Sequence, residues 1–297
     1  MGIVSFNNYE IMVVKLGGNS YLLPARALAV GALIPLLGAC SPPIALPLPS
    51  HVQRQKNVTY ACQASTPLLA DVYYRPQVAA APAILLIHGG SWKGDGSKWM
   101  MNGIARKLAK RGYVVVNATY RGLPENRYPV PVDDLRQAIR WMKVNAKTYG
   151  IDPRRIATFG YSAGGHLATM VALADGNPEG VRAIVAGSAP FDLTLYPGGD
   201  IIPRFLGGTQ KEIPQLFHEA SPVNQVKRDS PPIFIYHGTA DNLVQPEHAV
   251  RMQAAYRKAG MNTEIHWMKG RAHLGALLWP GTKVDEAIDF LDGILKP

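Results

Sequence analysis

The feature that most constrains the fold is a short glycine-rich turn between a predicted strand and a predicted helix. The turn is Gly160-Tyr161-Ser162-Ala163-Gly164-Gly165, and it follows an apolar run at 156–159 and precedes an apolar helical run at 166–174. A strand that passes into a helix through so sharp a turn tolerates only small residues at the glycine positions, because the backbone is crowded there. The segment therefore predicts an α/β chain in which the Ser162 hydroxyl projects above the sheet.

The rest of the chain downstream of Thr59 alternates short apolar runs with amphipathic segments. The predicted strands cover residues 69–73, 83–87, 113–118, 156–159, 181–187, 233–237 and 263–268. Near-continuous apolar strands separated by helices predict a mostly parallel sheet with helices on both faces. We expect one α/β domain over 59–297. A Pro- and Gly-rich stretch at about 188–232 is typical of a functional insertion and predicts a small lid.

The first forty residues differ in composition from the rest. Residues 27–37 are uncharged, follow Lys15 and Arg26, and lead into Leu37-Gly38-Ala39-Cys40. An apolar run of this length is too short to span a bilayer, and a basic flank followed by small residues is typical of a secretory signal. The last four residues resemble the lipobox of bacterial lipoproteins, in which the cysteine carries the lipid.

From this leader we expect a signal peptide over 1–39, with Met12 as an alternative start. Lipid attachment at Cys40 and a proline-rich tether over 40–58 would follow. The protein would then be exported and anchored to a bacterial membrane on the periplasmic or cell-surface side. The competing interpretation is a buried apolar helix, which Pro24 and Pro35 disfavour.

Charge and cysteine content exclude several other classes of protein. The chain carries 31 Lys+Arg against 21 Asp+Glu, a net charge of +10, but no run of five like charges. A dispersed excess predicts a solvated basic surface rather than a nucleic-acid site. Two cysteines cannot form a disulfide scaffold or a four-cysteine zinc site. The sequence also lacks metal-ligand spacings and phosphate-binding glycine loops, so we expect no metal and no cofactor.

A second glycine motif follows the predicted strand at 83–87. It reads His88-Gly89-Gly90-Ser91-Trp92. Acyl transfer develops negative charge on a carbonyl oxygen, and backbone N–H groups aimed at that oxygen stabilise it. We expect these donors to be Gly90 and Ser91, together with Ala163 directly after the serine.

An acid and a histidine that could activate Ser162 follow in the chain, each after a predicted strand. Asp241 follows the strand at 233–237, and His273 follows the strand at 263–268. His273 would take the Ser162 proton, and Asp241 would fix the imidazole tautomer. Asp192 is the alternative acid. Three other histidines are assigned structural roles: His166, His248 and His266.

These residues resemble the α/β-hydrolases, and within them the carboxylesterase branch that pairs HGG-x-W with G-x-S-A-G-G-H. That branch includes feruloyl and acetylxylan esterases, hormone-sensitive-lipase-like esterases and kynurenine formamidase relatives. The resemblance implies the α/β-hydrolase fold and an acyl-serine mechanism with Ser162 as nucleophile, His273 as base and Asp241 as orienting acid. Two departures are that Ser91 replaces the third glycine of the commoner H-G-G-G form, and that little chain precedes Thr59 to form an N-terminal cap.

The expected function is that of a serine carboxylesterase acting on small-molecule esters with short to medium acyl groups. An amide hydrolase of the formamidase or peptidase type is an alternative, because the same residues serve both reactions. A non-catalytic surface lipoprotein that keeps the fold is the third interpretation. Four residues near the second motif could wall an apolar pocket: Trp92, Trp99, Met100 and Met101.

Overall fold

The chain divides into two units, Met1–Pro47 and Leu48–Pro297. The structure, a computed structural model, describes residues 2–6, 9–16, 19–24 and 51–296, apart from 64–65, 77, 95–96 and 197–198. In the first unit, three strands form an antiparallel sheet in chain order; they are β1 (Gly2–Phe6), β2 (Tyr9–Leu16) and β3 (Asn19–Pro24). They lie within the segment that the sequence assigns to a signal peptide. The apolar run at 27–37 and Cys40 lie outside the described residues, so lipid attachment stays a prediction.

The second unit is built on an eight-stranded sheet. Its strands are β4 (Gln53–Gln63), β5 (Thr66–Tyr74), β6 (Ala81–Ile87), β7 (Val114–Ala118), β8 (Ile151–Tyr161), β9 (Ile184–Gly187), β10 (Ile233–Gly238) and β11 (Ile265–Met268). The helices of the described part are α1 (Asn102–Lys110), α2 (Val130–Val144), α3 (Ala146–Tyr149), α4 (Ala163–Leu173), α5 (Ile201–Leu206), α6 (Pro214–Glu219), α7 (Glu247–Lys258), α8 (His273–Leu278) and α9 (Lys283–Leu295).

The spatial order of the strands is β11-β10-β9-β8-β6-β7-β5-β4. The six strands β11, β10, β9, β8, β6 and β7 are parallel to one another. β5 pairs antiparallel with both β4 and β7. Helices cover both faces, as the alternation of apolar runs predicts. The carboxyl ends of β6, β8 and β10 therefore meet at one edge of the sheet, which is where parallel α/β folds place their sites.

Two apolar cores lie on opposite faces of the sheet. All of β6 is buried, and its side chains alternate between the cores: Leu85 and Ile87 pack with α2, α4 and α7, whereas Ile84 and Leu86 pack with α1 and α9. A strand buried on both faces has no polar alternation. This explains why the central strands read as continuous apolar runs in the sequence.

The sequence places the start of the domain at Thr59, but β4 begins earlier, at Gln53. Residues 53–58, which the sequence assigns to a tether, are part of the sheet. β4 is an edge strand in which Tyr60 is the only buried residue, and its pairing with β5 shifts register twice. A bulged, half-exposed strand lacks the simple alternation that marks a strand in a sequence.

The segment predicted as a lid lies between β9 and β10 and is called the lid insertion here (residues 188–232). It contains α5, α6 and short 3₁₀ turns at 193–195 and 222–224. Phe191, Phe205 and Phe217 from this segment are buried in the core that contains α4. The lid insertion is thus packed onto the same face of the sheet as the helix that follows Ser162.

Within the described part of the chain, no helix is both long enough and apolar enough to cross a bilayer.

Candidate active site

Ser162 stands at the turn between β8 and α4 with a left-handed backbone, φ 55° and ψ −126°. Its N–H donates to the carbonyl of Gly187 at 2.8 Å, which ties the turn to the neighbouring strand. A side chain at Gly160 would collide with the backbone of Gly164, and one at Gly164 would collide with the carbonyls of Ile87 and His88. The glycines of the motif are therefore required by close backbone approach, as the sequence predicts.

The three residues predicted as nucleophile, base and acid lie in hydrogen-bond contact. The Ser162 hydroxyl is 2.9 Å from His273 Nε2, and His273 Nδ1 is 2.7 Å from Asp241 Oδ2. Asp241 follows β10 and His273 opens α8, so two separate loops bring the groups to the turn after β8. With the Nδ1 proton donated to the carboxylate, Nε2 is free to accept the serine proton.

The Asp241 carboxylate is buried and held by its own loop. Its Oδ1 accepts the N–H groups of Leu243 and Val244 at 3.1 and 2.9 Å. Burial by itself would raise the Asp241 pKa, but the hydrogen bonds from His273 and Val244 outweigh it and lower the pKa below the ordinary value. The carboxylate therefore stays ionised and can stabilise a protonated His273.

A buried histidine that the sequence did not single out supports this loop. His237 is the fifth residue of β10 and is fully buried. Its Nε2 lies 2.8 Å from the Val244 carbonyl and donates to it, and 3.6 Å from Asp241 Oδ2. The only signal for it in the sequence is its place at the end of the strand that leads to Asp241.

The three predicted oxyanion donors lie on two segments beside Ser162. Ala163 is the first residue of α4, and the first N–H groups of a helix have no partner within the helix. Gly90, Ser91 and Trp92 have successive positive φ values of 110°, 54° and 57°. A substituent on Gly89 would meet the Tyr161 carbonyl at 2.9 Å, so the loop approaches the serine turn closely.

A small cavity of about 50 Å³ opens beside the serine. Its walls come from the oxyanion side, from the lid insertion and from the loop after Asp241. They are Ser91, Trp92, Ser162, Ala163, Pro190, Tyr196, Ile201, Ile202, Leu243 and Val244. His273 is not among these lining residues.

Of the four residues expected to wall an apolar pocket, Trp92 alone lines this cavity. Trp99 is exposed, and Met101 is buried in the core on the other face of the sheet. Trp99 and Met101 belong to a 3₁₀ turn at 97–101 that leads into α1. Closeness to the glycine motif in the sequence did not translate into closeness to the site, because this turn carries the chain to the opposite face.

The alternative candidates lie elsewhere. Asp192 accepts from Arg251 at 2.7 Å and from Thr194, and its N–H donates to His248. His266 stacks on Phe234 and contacts Glu286. Neither Asp192 nor His266 has a hydrogen bond to His273 or Ser162 in the described part.

The structural role predicted for His166 extends beyond its own helix. It is fully buried and bonds to the oxyanion-side Trp92 and to Ala220 of the lid insertion.

No group of three or more His, Cys, Asp or Glu side chains that could hold a metal ion occurs among the described residues.

The model of the BD-FAE family matches residues 70–256, well over half of the chain. The matched stretch includes the serine turn, the oxyanion side and Asp241. The chain belongs to the BD-FAE family. Solved structures place this BD-FAE protein in the α/β-hydrolase fold, as the sequence predicts.

Two solved esterases illustrate the likeness. A truncated carbohydrate esterase from gut microbiota is 27% identical, with a TM-score of 0.74 over 81% of this chain and 95% of that one. Esterase 2 of Thermogutta terrifontis in its propionate-bound form is 27% identical, with a TM-score of 0.68 over 84% of this chain and 96% of that one.

Among curated proteins, esterase LipQ of Mycobacterium tuberculosis is 30% identical over 224 residues, covering 69% of this chain and 53% of its own length. The probable carboxylic ester hydrolase LipM of the same organism is 30% identical over 200 residues, covering 60% of this chain and 46% of its own. This BD-FAE chain thus spans about half the length of the curated relatives it matches.

Proposed function

We propose that this protein is a serine carboxylesterase that hydrolyses esters of short to medium acyl groups through an acyl-serine intermediate. The observation that carries the proposal is the continuous path from Ser162 Oγ through both ring nitrogens of His273 to Asp241 Oδ2, with steps of 2.9 and 2.7 Å. The esterase names of the relatives and structural neighbours support it.

Acylation follows from this geometry. Ser162 Oγ attacks the ester carbonyl carbon while its proton passes to His273 Nε2. The carbonyl oxygen becomes an oxyanion that the N–H groups of Gly90, Ser91 and Ala163 stabilise. The carbon–oxygen bond to the alcohol then breaks, and the departing oxygen takes the proton from His273.

Deacylation repeats the steps with water. His273 accepts a proton from water as the water oxygen attacks the acyl carbon. The Ser162–acyl bond then breaks, His273 returns the proton to Ser162 Oγ, and a carboxylic acid is released. Asp241 keeps the Nδ1 proton in place and stabilises the imidazolium formed in each half-reaction.

The small volume of the cavity favours substrates with short acyl groups. The alcohol must leave towards His273, which donates its proton, and His273 does not line the cavity. Acyl groups therefore enter the space of about 50 Å³ bounded by Tyr196, Ile201 and Ile202. Longer chains require these side chains to move.

Hydrolysis of p-nitrophenyl esters tests the proposal. We expect the protein to cleave the acetate and propionate faster than the octanoate, and Ser162→Ala to abolish turnover. Undiminished turnover by Ser162→Ala would contradict the serine mechanism. An anilide and a formamide assayed in parallel test the amide-hydrolase alternative, which predicts kcat/KM for those compounds above that for the esters.

We further propose that the protein is an exported bacterial lipoprotein attached to a membrane through Cys40. The proposal rests on Leu37-Gly38-Ala39-Cys40 after an uncharged run. Expression in a bacterial host followed by detergent-phase separation tests it. Cys40→Ser should move the protein to the aqueous phase, whereas Cys62→Ser should not, since Cys62 lies on β4 with its side chain exposed. Unchanged partitioning of Cys40→Ser would refute the anchor.

A further inference from the structure

The oxyanion loop (residues 89–93) has a backbone conformation that its own residues do not favour. Ser91 and Trp92 both have positive φ, at 54° and 57°, although neither is glycine. Side chains beyond glycine are disfavoured in this region because Cβ crowds the backbone. Such a conformation persists only where surrounding contacts hold it. The contacts of this loop therefore determine where its N–H groups point.

Backbone contacts account for part of this restraint. The Lys93 N–H donates to Gly90 O at 3.0 Å, and the Leu123 N–H donates to Trp92 O at 2.9 Å. Both bonds hold the second half of the loop. Neither reaches the serine turn or the lid insertion.

The side chain of Trp92 makes further contacts, and it makes them with two other parts of the site. Its Nε1 donates to His166 Nδ1 at 3.1 Å, and its ring stacks on Phe205 of α5 with centroids 4.5 Å apart. His166 lies on α4, one helical turn after Ser162. Its Nε2 lies 2.8 Å from the carbonyl of Ala220, at the end of α6. One histidine thus joins the serine helix, the oxyanion loop and the lid insertion.

The donor and acceptor roles of the two His166 ring nitrogens follow from their partners. An indole N–H can only donate, so His166 Nδ1 accepts, and Nε2 carries the proton that goes to the Ala220 carbonyl. Burial lowers the His166 pKa to about 4, so the ring stays neutral near neutral pH and this tautomer persists. Both nitrogens are committed, which leaves His166 no capacity to take a proton from Ser162.

We propose that His166 is a positioning residue that holds Trp92, and through it the Gly90 and Ser91 donors, in the orientation that stabilises the oxyanion. It also makes that orientation depend on a docked lid insertion. The inference rests on the proposed serine-esterase function. It assigns the last residue of the GGH sequence after the serine to the oxyanion loop rather than to the reacting atoms.

Three variants of the full chain, with one control and one double variant, test the inference by kcat and KM with p-nitrophenyl acetate. Trp92→Phe keeps the ring against Phe205 but removes the N–H, and His166→Leu removes both nitrogens. Each should lower kcat on the order of 10²-fold, with KM changed far less, because donors misplaced by a fraction of an ångström lose transition-state stabilisation. His166→Gln, which offers one acceptor and one donor, should recover part of the loss.

Thr169→Val is the matched control. Thr169 is a fully buried residue of the same helix, and its hydroxyl donates to the Gly165 carbonyl at 2.7 Å, away from Trp92. We expect kcat to stay within about twofold of the parent, since no contact to the loop changes. An equal loss of kcat in Thr169→Val would show a general effect of helix damage and overturn the inference.

The double variant Trp92→Phe/His166→Leu tests whether the two side chains act through one shared hydrogen bond or independently. If the two side chains act through their shared hydrogen bond, the double variant should have nearly the kcat of either single variant. Multiplicative losses would overturn the inference.

An NMR measurement tests the link without relying on turnover. Of the five tryptophan indole N–H signals, the one lost in Trp92→Phe should shift in His166→Leu and stay in place in Thr169→Val. A parent protein that turns over no ester would refute the proposed function but not the link. An unmoved signal in His166→Leu would refute the link itself.

Discussion

At the scale of single residues, the choice between two carboxylates decides how the base is oriented. Asp241 contacts His273 Nδ1, whereas Asp192 is bound to Arg251. Asp241→Asn should lower kcat by about 10⁴-fold, because the amide permits the wrong imidazole tautomer. Asp192→Asn should keep kcat within a few fold of the parent and lose some thermal stability. Steady-state kinetics of the two variants shows which carboxylate orients His273. A larger loss of kcat in Asp192→Asn than in Asp241→Asn would assign that role to Asp192.

Another single-residue prediction concerns the glycines of the serine turn. Gly164→Ala places a methyl group 2.5 Å from the His88 carbonyl and still closer to that of Ile87, and neither backbone oxygen can move freely. We expect a loss of about 1–3 kcal/mol in the free energy of unfolding, together with reduced kcat. Gly103→Ala is the control, because an added methyl group in α1 meets nothing within 4 Å. It should stabilise the protein by about 0.5–1 kcal/mol. Chemical denaturation of both variants measures the difference.

Residue identity and order in the chain were enough to predict which groups meet at the site. The acid and the histidine each follow a strand, and the carboxyl ends of parallel strands share one edge, so Asp241 and His273 could be placed near Ser162 without coordinates. The contacts of His166 and His237 could not be predicted. Both depend on main-chain carbonyls, of Ala220 and Val244, whose positions follow from the packing of loops and not from any residue pattern.

At the scale of elements, the sequence was enough to predict the buried strands but not the full extent of the edge strand. The central strand β6 is buried on both faces and therefore appears as an unbroken apolar run. β4 alternates imperfectly because its pairing with β5 is interrupted between Gln55 and Val58 and again between Thr59 and Ala61. The expected pocket walls differ from the observed ones for a similar reason. The sequence shows that Trp99, Met100 and Met101 are close to the glycine motif along the chain, but not which face of the sheet they reach.

The position of β4 gives a prediction about the domain boundary. Arg54 and Lys98 both pair with the buried Asp71 carboxylate, and the Asn57 N–H donates to it at 2.9 Å. A chain of residues 59–297 loses the Arg54 and Asn57 partners and leaves β5 partly uncovered. We expect it to melt at a lower temperature than residues 48–297 by several degrees, since each kcal/mol corresponds to about 2–4 °C in a domain of this size.

Residues 51–297 provide the control for this truncation, because they keep the whole of β4. Their melting temperature should equal that of residues 48–297. Equal melting temperatures for all three chains would show that the first half of β4 adds nothing to the stability of the sheet.

At the scale of the whole molecule, the net charge of +10 is spread over surfaces that are partly neutralised by ion pairs. α1 and α9 pack on the same face of the sheet and are bridged by Lys107 to Asp285 and by Arg111 to Asp289. Exposed pairs of this kind contribute little each to stability. The dependence of global stability on pH must therefore come chiefly from groups whose protonation changes on burial.

Three buried histidines, His166, His237 and His248, should contribute to that dependence in mildly acidic solution, because burial lowers the pKa of each. Burial lowers the pKa of both His166 and His248 to about 4, from an ordinary value of 6.5. Below pH 6.5 the unfolded chain binds protons that the folded chain does not, so stability falls as the pH is lowered towards 4. It should then level off with respect to these two groups. Each of these two histidines accounts for about 3 kcal/mol over that interval. Asp241, whose pKa is lowered below 3.8, loses its contribution only at more acidic pH.

Urea denaturation between pH 7.5 and 4 measures this effect on the whole molecule. His166→Gln and His248→Gln should each flatten the decline in the free energy of unfolding by up to about 3 kcal/mol, whatever their stability at pH 7.5. His218→Gln is the control, because this side chain on α6 is exposed and should leave the slope unchanged. Parallel curves for the parent and the two buried-site variants would mean that these histidines are protonated alike in the folded and unfolded chains, contrary to their burial.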